Sequence, residues 1–162
     1  MLNVKIYLNY WHIVCFISPE RSISPDVIGL NYSGVKMPVI TYTMNHTLVL
    51  TIDGELDHAT VEEIRRIFNS LIQKHSDVLV DLSSVSFIDS AGIGSLIYLY
   101  KQLQANGRRL RLICKQGQPR ELLSILHIDR SITCYLSICD FLADISDKQS
   151  KTCLSDGVSL VI

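Results

Sequence analysis

The sequence predicts an α/β fold: a single domain with a mixed β-sheet and helices packed on it. Three observations lead there. Short apolar runs of strand length alternate with longer segments whose apolar residues recur at helical spacing. Turn and cap residues (Asn45-His46, Asp57, Asp89-Ser90, Asn106-Gly107, Pro119) fall at the junctions. The resulting order, β-β-α-β-α-β-α-β-α, places crossover helices between strands of one sheet.

Each element has its own warrant. Val39 to Thr43 and Thr47 to Ile52 are β-rich runs around Asn45-His46, a hairpin signal. Asp57 and Thr60 are caps for a helix in which Val61, Ile64, Phe68, Leu71 and Ile72 form one face, with Glu62 and Arg66 one turn apart on the wet face. Val78 to Leu82 reads as a buried strand, and a polar turn follows it. Ser90 is then predicted at the N-cap of a helix carrying Ile93, Leu96, Ile97, Tyr100 and Leu103, stopped by Asn106-Gly107. Arg109 to Cys114 is a further strand. Pro119 opens a helix with Leu122, Leu123, Ile125 and Leu126. Ile132 to Leu136 and Ile138 to Ile145 supply the last strand and helix.

At 162 residues the chain suits one domain with a proper core. The expected division is an appendage or over-called translation start over residues 1–36, the domain over 37–146, and a tail over 147–162. Leu2 to Ile17 is apolar but interrupted by Asn3, Lys5, Asn9 and His12, which argues against a membrane span. A net charge of −1 argues against direct nucleic-acid binding. The one basic cluster, Arg108, Arg109, Arg111, Lys115 and Arg120, reads as a solvated strand with its loops. Five cysteines (Cys15, Cys114, Cys134, Cys139, Cys153) form no C-x-x-C pair, so no disulfide framework or zinc site is expected, and the setting reads as reducing and cytoplasmic.

The chemistry concentrates at Asp89-Ser90-Ala91-Gly92-Ile93-Gly94. Ala91, Gly92 and Gly94 are small, and should leave Ser90 and the first helical turn open to another protein. An accessible hydroxyl beside a carboxylate suits either a nucleophile or a phosphoacceptor. A hydrolase elbow would need a glycine before the serine, which is missing, and His46, His58, His75 and His127 are scattered. A dinucleotide loop would need a third glycine where Ile97 stands, and no Gly-Lys-Ser/Thr follows. Asp53, Glu55 and Asp57 lack the spacing of a calcium loop, so neither a metal nor a cofactor is expected. Taken alone, Ser90 reads as an ordinary helix cap. The acidic turn Gly54 to His58 could lie beside it, and two acidic turns around a serine make an interaction surface more readily than a hydrolytic pocket.

Gly54-Glu55-Leu56-Asp57-His58, Thr60 and Ile64-Arg65, with Val80-Asp81-Leu82-Ser83 and Phe87-Ile88-Asp89-Ser90-Ala91-Gly92-Ile93-Gly94, closely resemble the STAS domain over Val39 to Ile145. The likeness is closest to the bacterial anti-sigma factor antagonists, including the sporulation type. It implies a STAS-like fold and a non-enzymatic, cytoplasmic regulator. The unphosphorylated form would bind an anti-sigma factor serine kinase, phosphorylation of Ser90 would release it, and a PP2C-type phosphatase would restore it. The resemblance makes Asp57 and Asp89 the acidic residues of that surface, with Ser90, Ala91, Gly92, Ile93 and Gly94 where the partner lies. The rivals are a nucleotide-binding or nucleotide-hydrolysing domain using the Ser90 to Gly94 turn, and a STAS subunit of a lipid-transport or other partner-switching complex.

Overall fold

Asn45 (φ 47°) and His46 (φ 61°) both adopt the left-handed conformation that a tight type I′ hairpin requires. They join β1 (Val39–Met44) to β2 (Thr47–Leu56) in antiparallel register, from Met44 opposite Thr47 to Val39 opposite Ile52. The computed structural model describes residues 39–152, and the predicted appendage 1–36 and the apolar chain end lie outside them. The remaining order is α1 (Val61–Gln73), β3 (Asp77–Ile88), α2 (Ser90–Ala105), β4 (Leu110–Ile113), α3 (Gln118–Ile125), a short 3-10 turn (Ile128–Arg130), β5 (Thr133–Tyr135) and α4 (Ile138–Thr152). The sheet runs β1-β2-β3-β4-β5, antiparallel at β1–β2 and parallel elsewhere. The mixed sheet and element order match the sequence prediction.

Successive strand residues point to opposite faces, and the two faces are covered unequally. Leu48, Leu50, Ile52, Val78, Val80, Leu82 and Leu112 meet Ile64, Phe68 and Leu71 of α1, Ile93, Leu96, Leu99 and Leu103 of α2, and Leu123 of α3. On the other face, Val49, Leu79, Ile113 and Tyr135 pack with Phe141 of α4, whose ring meets Tyr135 edge-on at 5.5 Å. The α2 stop works as expected. Gly107 takes φ 69°, and its N–H and that of Arg108 reach back to the carbonyls of Gln104 and Leu103.

Four expectations need correction. β3 does not turn after Leu82 but continues to Ile88, because β2 continues beside it: Asp53 to Leu56 pair with Ser84 to Ile88 across two register shifts. The basic cluster is not uniformly solvated. Arg111 is buried against Asp77 and lies 5.8 Å from the Phe141 ring, while the Arg108 guanidinium donates to the carbonyls of Ile72 and Lys74. Ile125 and Leu126 end α3 largely exposed, leaving Leu123 as the buried anchor. The last helix runs past Ile145 to Thr152.

Candidate functional site

Two strand ends and two helix starts meet at one end of the sheet, where the interior strands β2 and β3 finish. Leu56 ends β2 opposite Ile88, which ends β3, and the Asp89 N–H donates to the Leu56 carbonyl at 3.3 Å. The chain then leaves β2 through Asp57-His58-Ala59-Thr60. The Asp57 carboxylate accepts from the N–H groups of Ala59 (3.0 Å) and Thr60 (3.1 Å), and the Thr60 hydroxyl accepts from the Asp57 N–H. This local pairing lets the turn enter α1 without a cap from Thr60 to the helix itself.

Asp89 joins that turn to α2. One carboxylate oxygen accepts from the Gly92 N–H at 2.8 Å, and the other from the His58 N–H at 3.0 Å. The Gly92 N–H above all, opposed by partial burial and reinforced by the N–H groups of His58 and Ala91, holds the Asp89 carboxyl below the usual carboxylate range. Asp89, and not Ser90, is therefore the N-cap, which corrects the sequence expectation. Both residue types cap well. Asp89 wins because its extended backbone (φ −103°, ψ −174°) precedes the first helical residue, which is Ser90. The hydroxyl of Ser90 is thereby relieved of capping, and the residue is exposed.

The neighbours of Ser90 divide by direction. Gly94 is exposed, with open space where a Cβ would stand, and Ala91 is half-buried. Gly92 is buried. A Cβ there would run into the Leu56 carbonyl oxygen and come within 2.8 Å of Ile88 and 2.9 Å of the Leu56 side chain. Ile93 is 4% exposed and belongs to the core. Gly92 and Ile93, which the resemblance places where a partner lies against the helix start, are both packed inward and hold the helix against the sheet. The outward surface consists of Ser90 and Gly94, with His58, Ala59 and Glu55 exposed on the adjoining turn and Phe87 42% exposed at the end of β3. Among the described residues, no lysine or arginine pairs with Asp57 or Asp89.

The STAS domain model matches residues 38–140, well over half of the chain. The chain belongs to the STAS domain family. A curated relative, the anti-sigma F factor antagonist of Paenibacillus polymyxa, is 28% identical over 44% of this chain, which spans 62% of that protein's length. An anti-sigma factor antagonist from Mycobacterium paratuberculosis has a similar fold, with a TM-score of 0.63 at 17% identity over 70% of this chain and 97% of the other. The Bacillus antagonist SpoIIAA, whose structure is known unphosphorylated and phosphorylated, gives TM-scores of 0.53 and 0.52 at 21% identity. Its two structures cover 68% and 67% of this chain, and 97% and 98% of their own.

Within this STAS domain, sequence reasoning brought the Asp57 and Ser90 turns together correctly in space. It missed Gln118. The Gln118 side chain reaches from the start of α3 to the end of β3, where its amide accepts from the Ile88 N–H at 3.0 Å and donates to the Ile88 carbonyl at 2.8 Å. A residue 30 positions away with no motif around it carries no sequence signal for such a contact. The nucleotide rival meets a physical obstacle at the same place. The α2 N-terminus that would cradle a phosphate already holds the Asp89 carboxylate, and Gly92 faces inward. Cys114 is buried, Cys134 half-buried and Cys139 exposed; burial pushes the Cys134 thiol up to about 11, away from reactive thiolate character. Among the described residues, no cluster of His, Cys, Asp and Glu is arranged to hold a metal ion, and no helix is long and apolar enough to cross a membrane.

Proposed function

We infer that this STAS domain is an anti-sigma factor antagonist, a cytoplasmic regulator and not an enzyme. Its unphosphorylated form binds an anti-sigma factor serine kinase. Phosphorylation of Ser90 by that kinase releases it, and a PP2C-type phosphatase returns it to the binding form. The names of the curated and structural relatives support the class. The observation that carries the switch is local: an exposed Ser90, excused from capping by Asp89, stands beside carboxylates that, among the described residues, no lysine or arginine pairs with.

A phosphoserine there adds about −1.5 to −2 charges at neutral pH. Against a partner pressed close, it meets Asp89 and Asp57 in a partly desolvated contact. Two unit charges about 5 Å apart at an effective dielectric near 20 repel by about 3 kcal/mol. That is on the order of a hundredfold in affinity. The fold tolerates the same phosphate, because Ser90 lies on the surface and the helix is capped by Asp89 and not by the modified hydroxyl.

The test uses the full chain, ATP and the anti-sigma factor kinase of the same cell. The expected result is phosphate incorporation only with the kinase present, lost in Ser90→Ala, which still binds the kinase. Labelling of Ser90→Ala as well as the parent would show the site to be elsewhere. ATP turnover by the purified chain alone would instead support the nucleotide reading.

A further inference from the structure

We propose that Gln118 is a positioning residue for the Ser90 turn, setting where the acceptor hydroxyl stands when the kinase docks. The proposal rests on the reading of Ser90 as phosphoacceptor. It assigns to α3, outside the motifs that mark the site, control over that site.

The geometry begins with a mismatch in strand length. β3 runs to Ile88, but β4 pairs with it only from Val78–Leu110 to Asp81–Ile113. Beyond Asp81, the side of β3 facing β4 has no strand beside it among the described residues. At Ile88 the Gln118 carboxamide takes that place, with one donor and one acceptor matched to the two backbone groups of a single residue. On its other side Ile88 pairs with Leu56 of β2. Ile88 is therefore gripped from both sides, immediately before the Asp89 cap and two residues before Ser90. The next residues are fixed in turn by the bonds from Asp89 N–H to Leu56 and from His58 and Gly92 N–H to Asp89. Without Gln118 the chain of contacts is one-sided.

The residues on either side of Gln118 do not substitute for it. Pro119 has no N–H to donate, and Gly117 takes φ 145°, a backbone conformation that lets the chain turn into α3 and present Gln118. Phosphotransfer is sensitive to such placement: displacement of a reacting group by about 1 Å can cost up to about a hundredfold in rate. A pin at Ile88 acts on orientation in the docked complex more than on docking itself. Its loss is read in kcat before KM.

Two variants separate position from bulk. Gln118→Met keeps the length and removes both hydrogen bonds. Gln118→Glu keeps the acceptor for the Ile88 N–H but loses the donor at neutral pH. In Gln118→Met, amide exchange at Ile88 and Asp89 should rise about tenfold, and kcat for Ser90 phosphorylation should fall about tenfold with KM nearly unchanged. In Gln118→Glu the second carboxylate oxygen would face the Ile88 carbonyl, acceptor against acceptor, so exchange and kcat should move at least as far as in Gln118→Met. Unchanged exchange in Gln118→Met would overturn the pin. Faster exchange with unaltered phosphorylation kinetics would overturn its role toward the kinase. A wild-type chain that takes no phosphate at Ser90 would instead refute the function on which the role rests, and exchange alone would then judge the pin.

Discussion

At the end of the sheet where β3 begins, Asp77 sits between arginines. Its carboxylate accepts from the Arg109 N–H at 2.9 Å and lies 3.3 Å from the buried Arg111 guanidinium. At the opposite end, where β3 finishes, Asp57 and Asp89 accept, among the described residues, only from N–H groups of turns and helix starts, plus the Thr60 hydroxyl. Both ends satisfy their carboxylates. Only the first also neutralises them. Backbone N–H groups stabilise a carboxylate without cancelling its net charge, so the Ser90 end keeps a negative rim that an added phosphate would aggravate. The arginine end is insulated against such a change. On the proposed reading, this difference would place charge sensitivity at one end of a sheet whose two faces are otherwise packed cores.

Mutations at the two ends should separate these roles. The largest stability effect is expected from Gly92→Ala. Its new methyl meets the Leu56 backbone, which cannot swing aside, and should cost about 3 kcal/mol or more by denaturant unfolding. Asp89→Ala follows, with about 1–2 kcal/mol lost as the cap and the link to His58 go. Asp89→Asn keeps the capping shape and isolates the charge. Because the folded carboxyl titrates below its unfolded value of about 3.9, its contribution is complete above about pH 4 and is lost as pH falls through the lower folded value. The stability gap between wild type and Asp89→Asn should therefore close on acidification.

At the arginine end, Asp77→Asn should cost about 1–2 kcal/mol, since it leaves the buried Arg111 cation without its counter-charge. It should leave partner affinity unchanged. Arg109→Ala should cost least, under about 0.5 kcal/mol, because its side chain is 72% exposed. If Asp77→Asn weakened partner binding as much as Asp89→Ala, the division between the two ends would fail.

How much of this was readable from residues alone follows from the range of the forces involved. α1 and α2 were legible because apolar residues at helical spacing report one buried face, and Ile64, Phe68, Leu96 and Leu103 all lie there. The hairpin was legible because Asn tolerates the left-handed backbone that its turn needs. The extension of β3 was hidden. Ser83-Ser84-Val85-Ser86 looks like a turn locally, and only pairing with Asp53 to Leu56 of β2 makes it a strand. The choice between Asp89 and Ser90 as cap was equally hidden, because both are good caps and the decision lies in where Leu56 and His58 sit. Arg111 is a surface residue by type; Asp77 and Phe141 allow its burial. Serial patterns reveal faces, and long-range pairing decides edges.

The central claim is that added negative charge at Ser90 weakens docking on the order of a hundredfold without disturbing the domain. Its most direct measurement is a calorimetric titration of the anti-sigma factor kinase with wild-type chain and with chain phosphorylated at Ser90, each checked by circular dichroism. The expected result is identical folded spectra and a Kd raised on the order of a hundredfold by the phosphate. Equal affinities for the two forms would contradict the account.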